Sequence, residues 1–178
     1  MSERKTFPDG TNHRRYDVRN DKGYWLATVF IGADGVFSAV SDYGDYGHWW
    51  RSIGCDDIRR FLCGCDADYL VRKFAPETER DDEATVRAIK DCILKLRRSK
   101  SLTAEQAREE WDLVENFDSP DVWYHETNLH QVTDVAELGR SRYKPQVVSF
   151  CEKVMPRLCE MLRAEMAAEQ AQTAPEKG

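Results

Sequence analysis

The sequence lacks the short motifs by which many enzymes and metal proteins are recognised. It has no glycine-rich phosphate loop, no H-E-x-x-H segment and no C-x-x-C pair among its six cysteines. Only one residue separates Cys63 from Cys65, and Cys55 is nearby, but no second pair or neighbouring histidine completes four metal ligands. We therefore predict ordinary reduced cysteines and no cofactor. A metal site at Cys55, Cys63 and Cys65 is the alternative.

Long apolar runs are also absent. No stretch approaches the roughly 18 consecutive apolar residues that a membrane-spanning helix needs. The N-terminal residues are polar and do not contain the apolar segment of a secretory signal. We therefore expect a cytoplasmic protein that has no membrane partner.

Basic residues are fewer than acidic ones. The chain has 26 Lys and Arg residues against 32 Asp and Glu residues, which gives a formal net charge of -6. Broad nucleic-acid binding needs clustered cations that displace counterions from phosphates, so direct nucleic-acid binding is not expected. The basic run at 95–100 ends a predicted helix that begins with acidic residues at 81–83, and both ends complement the helix macrodipole. Nothing in the composition indicates the oligomeric state.

What the sequence does contain is the pattern of an antiparallel β-meander. Runs of strand-forming residues alternate with Gly, Asn and Asp in turn positions. The predicted strands lie at 13–19, 24–31, 36–43 and, as a short fourth strand, at 48–50. In the second strand, Trp25, Ala27, Val29 and Ile31 are predicted to share one face, and most residues between them are also apolar. Two apolar faces are typical of a strand that is central in its sheet or covered on both sides.

From about residue 56 the pattern becomes helical. Capping residues precede apolar residues at helical spacing, and Pro156 is expected to kink or split the last helix. The chain therefore predicts an α+β fold, with an N-terminal three- or four-stranded antiparallel meander followed by five or six helices packed on one sheet face. A length of 178 residues suits a single domain. The predicted boundaries are a frayed tail at 1–12, one domain at 13–170 (meander 13–50, helical part 56–170) and a frayed tail at 171–178.

An aromatic segment follows the third predicted strand and holds the candidate site. It combines carboxylates, an imidazole and several aromatic rings beside glycines that allow close approach. Trp and Tyr provide large contact areas at low entropic cost and are common at the centre of protein interfaces. The residues predicted to form an interaction surface are Tyr43, Asp45, Tyr46, His48, Trp49 and Trp50.

Two other interpretations of this segment stay open. Trp49 and Trp50 alternate along a strand, so one ring would belong to the core and the other would cover an edge. Alternatively, Asp42, Asp45 and His48 would act as acids, bases or metal ligands beside the pocket of an enzyme or a small-ligand protein.

A second aromatic pair, Trp123 and Tyr124, lies in a short predicted helix. We interpret this pair as a core anchor for the helix, with a second aromatic surface patch as the alternative. His125 and His130 lie beside it and are five residues apart, whereas two ligands on one helical face need a spacing of three or four. We therefore predict that both histidines are surface residues.

Four segments carry a resemblance to a known group of proteins. They are residues 23–27, residues 35–44, Asp68-Tyr69-Leu70 and residues 103–112. Over residues 16–165 the chain resembles uncharacterised accessory proteins of tailed bacteriophages and prophages of proteobacteria. The resemblance implies a small soluble protein in the cytoplasm of the bacterial host, one that acts on a host or phage factor and does not build the virion. It implies no catalytic residues.

Two hypotheses of different classes follow. In the first, the chain binds a host or phage protein through an acidic, aromatic surface. It would then act as an inhibitor in host takeover or against a defence protein, including one whose nucleic-acid groove an acidic surface would fill. In the second, the chain is an enzyme or a small-ligand protein with a pocket near Asp42, Asp45 and His48. The lack of catalytic motifs favours the first hypothesis.

Overall fold

The computed structural model describes residues 5–117 and 119–173 and begins with a four-stranded antiparallel sheet. Its strands are β1 (His13–Arg19), β2 (Trp25–Gly32), β3 (Val36–Ser41) and β4 (Gly44–Trp49). Each strand pairs with the next in the chain, so the sheet order is β1-β2-β3-β4. The predicted meander is confirmed, and the apolar β2 is a central strand. The third reversal comes earlier than predicted, at residues 42–43, so β4 begins at Gly44 and ends before Trp50.

The rest of the described chain is mostly helical. The elements are α1 (Ile58–Gly64), α2 (Ala67–Phe74), β5 (Thr78–Arg80), α3 (Asp82–Arg98), α4 (Ala104–Asn116), α5 (Pro120–Glu126), β6 (Ser141–Tyr143), α6 (Pro145–Lys153) and α7 (Met155–Thr173), with two 3₁₀ helices at Leu129–Gln131 and Val135–Leu138. The α+β prediction is therefore confirmed. Side-chain caps explain several helix starts, including α4, where Thr103 and Gln106 form a reciprocal capping box.

Contacts between residues divide the chain into two compact units. We call Thr78–Arg142 the helical unit, and we call the described residues before and after it the sheet unit. The helical unit has its own apolar core, in which Ile89, Ile93, Val114, Trp123 and Leu129 are buried. The sequence predicts one domain over 13–170, and the structure groups these residues in two units, because the helical unit buries its own set of apolar side chains.

In the sheet unit, helices cover one face of the sheet. Side chains from β1, β2 and β3 alternate between buried and exposed positions, as expected when only one face is covered. The buried side chains of this core include Val18, Val29, Ile31 and Phe37 from the strands and Leu62, Leu70, Phe74, Phe150, Leu158 and Leu162 from the helices. The prediction of helices on one sheet face is confirmed for α1, α2, α6 and α7, whereas α3, α4 and α5 pack around the core of the helical unit.

Proline separates the last two helices. The helix α6 ends at Lys153 and α7 begins at Met155, so Pro156 lies in the first turn of α7, where a missing N–H breaks no intrahelical bond. The predicted split is confirmed. Residues 171–173, which the sequence assigns to a frayed tail, belong to the last turn of α7, and 174–178 lie outside the described residues.

Phe7 also lies in a segment that the sequence assigns to a frayed tail, yet it is 4% exposed. The guanidinium carbons of Arg14 and Arg59 lie 4.6 and 5.1 Å from the centre of its ring. Cation–π attraction and burial both favour this position. Phe7 therefore ties the segment before β1 to the core of the sheet unit.

Arg59 is 1% exposed and is held by carboxylates. Its guanidinium donates to Asp57 at 2.7 Å, to Glu165 at 2.9 Å and to Glu169 at 2.8 Å. Burial alone would lower the pKa of Arg59, but its bonds to Glu169 and Asp57 raise it above the ordinary value. Bonds from Arg59 likewise hold the pKa of Glu169 below its ordinary value. The network joins the start of α1 to α7.

Candidate interaction surface

The pairing of β1 with β2 contains a β-bulge between Val18 and Arg19. Val18 pairs with Ala27, but Arg19 pairs with Trp25, so β2 has one extra residue at this point. An extra residue reverses the alternation of side chains beyond it. The indole Nε1 of Trp25 accordingly donates to Thr28 Oγ1 at 3.1 Å, on the sheet face away from the core. The prediction that Trp25 shares a face with Ala27, Val29 and Ile31 is therefore wrong.

The sheet face away from the core carries exposed apolar side chains. Phe30 is 42% exposed, Val36 40%, Val40 51% and Trp49 52%. We call these four residues the open face. They come from three neighbouring strands: Phe30, Val36 and Val40 lie next to buried positions of β2 and β3, and Trp49, at the end of β4, precedes the buried Trp50. The apolar residues between the buried positions of β2 and β3 are therefore not covered by the described chain.

The strand register makes the open face continuous. Val36 lies directly opposite Trp49, and Phe30 lies opposite Ser38, so Phe30 is the diagonal neighbour of both Val36 and Val40. Directly opposed side chains in a sheet are about 5 Å apart, and diagonal ones are within reach of an aromatic ring. These four side chains thus form one patch.

Charged residues surround this patch, and their signs are mixed. The guanidinium of Arg51 lies 4.9 Å from the centre of the Trp49 ring, and Arg15 is directly opposite Phe30. Asp17 accepts bonds from Thr28 Oγ1 at 2.7 Å and from Arg15 at 2.9 Å, and these bonds lower the pKa of its carboxyl. Because basic and acidic groups both flank it, the patch does not present the acidic surface that the net charge suggests.

The structure places the six residues predicted to form an interaction surface at different depths. Trp49 and Asp45 are exposed, Tyr43, Tyr46 and His48 are half-buried, and Trp50 is buried. Within this group, the Tyr46 hydroxyl donates to the carbonyl of Tyr43 at 2.7 Å, and its ring centre lies 4.6 Å from that of Phe150. Burial raises the pKa of Tyr46. Tyr46 thus contributes to the covered face of the sheet.

Trp50 follows β4 and is 5% exposed. Its indole Nε1 donates to the hydroxyl of Tyr69 at 2.9 Å, and its ring meets those of Phe37, Phe61 and Phe74 edge-on. The ring of His48 lies 4.6 Å from that of Trp50, and burial lowers the pKa of this histidine. Trp50 and His48 therefore support the sheet from the core side.

The structure does not bring Asp42, Asp45 and His48 together as a pocket. Asp45 and His48 are three residues apart on one strand, so their side chains point to opposite faces of the sheet. Asp42 lies in the turn between β3 and β4. The interpretation of these three residues as a joint acid, base or metal site therefore has no geometric support.

The cysteine cluster is half-buried. Cys65 donates to the carbonyl of Phe61 at 3.3 Å, and Cys63 lies 3.6 Å from the carbonyl of Cys159, while Cys55 is exposed. Burial raises the pKa of Cys65 to about 11. Within residues 5–117 and 119–173, no group of three or more His, Cys, Asp or Glu side chains is arranged to hold a metal ion.

Sequence reasoning did not single out Phe30, Val36 and Val40. The sequence feature that could have indicated these residues is the apolar character of both faces of β2. That feature is equally typical of a strand that other elements cover on both sides. Exposure of one face depends on where the helices pack, and local sequence does not show that position.

The structure therefore defines an α+β protein whose sheet is covered on one face and carries an apolar patch on the other. Residues 9–164 match the model of Phage_phiTE_072, described as a phage family. This match covers most of the chain, and the protein belongs to that phage family. No curated protein and no solved structure matches the chain. Among the described residues, none of the helices combines the length and the apolar character needed to cross a membrane.

Proposed function

We propose that this phage-family protein is an accessory protein that binds another protein through the open face, Phe30, Val36, Val40 and Trp49. The observation that carries the proposal is the continuous exposure of these side chains, each at least 40% exposed. Contiguous apolar patches on soluble proteins commonly mark interaction sites. Phe30 and Trp49 would supply the aromatic anchors that often dominate binding energy.

The packed core on the covered face of the sheet holds the strands of the open face in place. Beneath Trp49 and Val36, the residues Phe37, Trp50 and Phe74 form an aromatic cluster with ring centres 4.9 to 6.3 Å apart. Side chains on a well-packed sheet lose little further freedom on binding, which favours affinity. Asp45 and Trp49, the two exposed residues of the group that the sequence predicts, both lie on β4.

The chemistry of the open face indicates the kind of partner. An apolar centre needs an apolar counterpart, and Arg15 and Arg51 at its margin would meet carboxylates on the partner. Because the chain belongs to a phage family, we propose a partner in the infected bacterium or from the phage itself. Inhibition of a host protein during takeover, or of a defence protein, is the role that we propose for this binding.

A protein partner is favoured over single-stranded nucleic acid. Aromatic rings with neighbouring arginines can stack on bases. However, Val36 and Val40 provide no stacking surface, and the net charge of -6 opposes the approach of phosphates.

The test uses a tagged full-length chain to capture proteins from lysates of infected and uninfected bacteria. Each captured protein is then purified, and its affinity is measured by titration calorimetry. We expect one partner whose affinity falls at least tenfold with the double variant Phe30→Ala, Trp49→Ala. The control variant is Met161→Ala, which changes a 37% exposed side chain on α7 and should leave affinity unchanged.

Three outcomes would overturn the proposal. The first is that the folded double variant binds every purified partner as tightly as the parent chain does. The second is that no captured protein binds the chain once it is purified. The third is that the chain binds oligo(dT) through the open face and binds no protein. Circular dichroism of each variant establishes that it is folded before binding is measured.

A further inference from the structure

The strand β4 forms one edge of the sheet, since it pairs with β3 on one side only. The backbone N–H of Trp50 donates to the carbonyl of Gly35 at 3.0 Å, and this bond sets the alternation of hydrogen bonds between β3 and β4. Along an antiparallel pair, every second residue bonds to the neighbouring strand, and the residues between them direct their backbone groups away from it. In β4, the residues that direct their backbone groups away from the sheet are therefore Asp45, Gly47 and Trp49.

This edge of the sheet is open. Asp45, Gly47 and Trp49 are all exposed, and none of their backbone N–H groups bonds to an acceptor within residues 5–117 and 119–173. The strand contains no proline, and its pairing with β3 runs without a bulge. Proteins commonly block an edge strand with charged side chains, proline or a bulge, because unpaired backbone groups are a template for another strand. The edge at β4 can therefore accept one.

The opposite edge, at β1, is protected. The backbone N–H of Ala33 donates to the carbonyl of Asn12 at 2.9 Å, which sets the alternation between β1 and β2. The residues of β1 whose backbone groups point outward are therefore His13, Arg15 and Asp17. Two copies of β1 centred on Arg15 would place two guanidinium groups opposite each other, which disfavours pairing. At the centre of the β4 edge, by contrast, Gly47 has no side chain.

The outward residues of β4 are complementary to a second, antiparallel copy of the same strand. When Gly47 lies opposite Gly47 of the second copy, Asp45 lies opposite Trp49 of that copy, and all the outward backbone groups of β4 are paired. The guanidinium of Arg51 lies 4.9 Å from the centre of the Trp49 ring, so the Asp45 carboxylate of one copy would also lie near Arg51 of the other. Opposite charges on neighbouring strands stabilise their pairing.

We propose that two copies of this chain pair along β4, antiparallel and about a twofold axis at Gly47, and so join their four-stranded sheets into one continuous sheet. The dimer is closed, because the protected β1 forms the other edge of each copy. Backbone hydrogen bonds would supply the contact, as in other cases of strand addition. The open faces of the two copies would then lie side by side, but the pairing does not depend on the function proposed for them.

Sedimentation velocity of the full chain at micromolar and millimolar concentrations tests the proposal, because small interfaces give weak dimers. We expect the parent chain to dimerise reversibly. Gly47→Pro removes an N–H that β3 does not use, and edge strands tolerate proline at such a position, so this variant should dimerise at least tenfold more weakly. Gly47→Ala is the matched control. It keeps the N–H, its Cβ would lie in ordinary contact at 3.6 Å from the carbonyl oxygen of Phe37, and it should dimerise as the parent chain does.

An exchange of charges tests the register. Asp45→Arg and Arg51→Glu should each weaken the dimer at least threefold, because each places like charges next to each other across the two copies. The double variant should restore the dimer, because opposite charges face each other again. Circular dichroism of each variant establishes that it is folded.

Three results would overturn the proposal. The first is a parent chain that stays monomeric at millimolar concentration. The second is a folded Gly47→Pro variant that dimerises as tightly as the parent chain, since the copies then associate through another surface. The third is a charge-exchanged double variant that dimerises no more tightly than the single variants. This third comparison remains decisive if Gly47→Pro does not fold.

Discussion

Trp49 and Trp50 are consecutive residues whose rings lie on opposite sides of the sheet, 52% and 5% exposed. Trp49 donates to the carbonyl of Asp34 and lies beneath Arg51, whereas Trp50 donates to Tyr69 within the aromatic core. The alternation of a strand therefore separates a residue available for binding from one that supports the fold.

This separation predicts different effects of two substitutions. We expect Trp49→Ala to lower the free energy of unfolding by less than about 1 kcal/mol, because the side chain is largely exposed. Trp50→Ala should lower it by about 3 to 5 kcal/mol, because it leaves a cavity among packed rings. Urea denaturation measures both values, and equal losses would contradict the assignment of the two faces.

Gly35 is predicted to be irreplaceable by alanine. Its φ is +95°, and a Cβ at this position would lie 2.1 Å from the backbone carbonyl oxygen of Trp50. Gly35→Ala should therefore lower the free energy of unfolding by about 3 kcal/mol, from left-handed backbone strain and from the clash.

Gly23→Ala is the control, since its φ is +81° and nothing lies within 4 Å of its Cβ position. We expect it to lose only about 1 kcal/mol in thermal or urea unfolding. A control loss as large as that of Gly35→Ala would refute the role of the contact with Trp50.

Arg59 is predicted to have a pH-dependent role in stability. Arg59→Met removes the buried cation from among the surrounding carboxylates, of which Glu165 and Glu169 keep an ion pair with Arg14, and at pH 7 it should lower the free energy of unfolding by about 3 kcal/mol. Arg60→Met is the control because Arg60 is the exposed neighbour, and it should have little effect. Urea titrations at several pH values provide the measurement.

The direction of the pH effect follows from the carboxylates. The pKa values of Asp57 and Glu169 lie below their ordinary values of 3.8 and 4.5 in the folded chain. Their contribution to stability is complete above those ordinary values and is lost as the pH falls through the lower folded ones. The difference between the parent chain and Arg59→Met should therefore shrink as the pH falls below about 4. A difference that stays constant down to pH 2 would argue against this network.

Glu110 is predicted to stabilise the helical unit. It is 4% exposed and accepts bonds from Thr127 Oγ1 at 2.6 Å and from the backbone N–H of Asn128 at 2.9 Å. Glu110→Ala should lower the free energy of unfolding by about 3 kcal/mol, because the buried hydroxyl of Thr127 and the partly buried backbone N–H of Asn128 would both lose their acceptor. Glu109→Ala, at the exposed neighbouring position, should change it by less than about 0.5 kcal/mol. Similar urea midpoints for the two variants would rule out this role.

Much of the sheet could be predicted from the sequence because turns and strand alternation are local. Asp34-Gly35 predicts the reversal between β2 and β3, and only a residue without Cβ fits there. The alternation of Trp49 and Trp50 likewise predicts one core ring and one outer ring. The position of Trp25 could not be predicted, because the bulge at Val18 and Arg19 depends on how two strands pair.

The site was predictable only in part. Trp49 and Asp45 belong to the predicted group and are exposed, but the patch around Trp49 is completed by Phe30, Val36 and Val40 from other strands. Their exposure is a property of the packed sheet and not of any one segment. The role of this surface in binding stays a prediction until a partner is tested.

By itself, the sequence determined the order of the four meander strands, the reversal at Asp34-Gly35, the helical character of the rest of the chain, the capping box at Thr103 and the break at Pro156. These features follow from bonds and clashes among residues a few positions apart. Only the tertiary structure decided which face of the sheet stays open, which carboxylates surround Arg59, and that Trp123 is buried in a core of the helical unit's own. Burial and long-range ion pairs depend on segments that are far apart in the chain; Arg59 and Glu169, for example, are 110 residues apart. A local sequence pattern does not show which distant segments will come into contact.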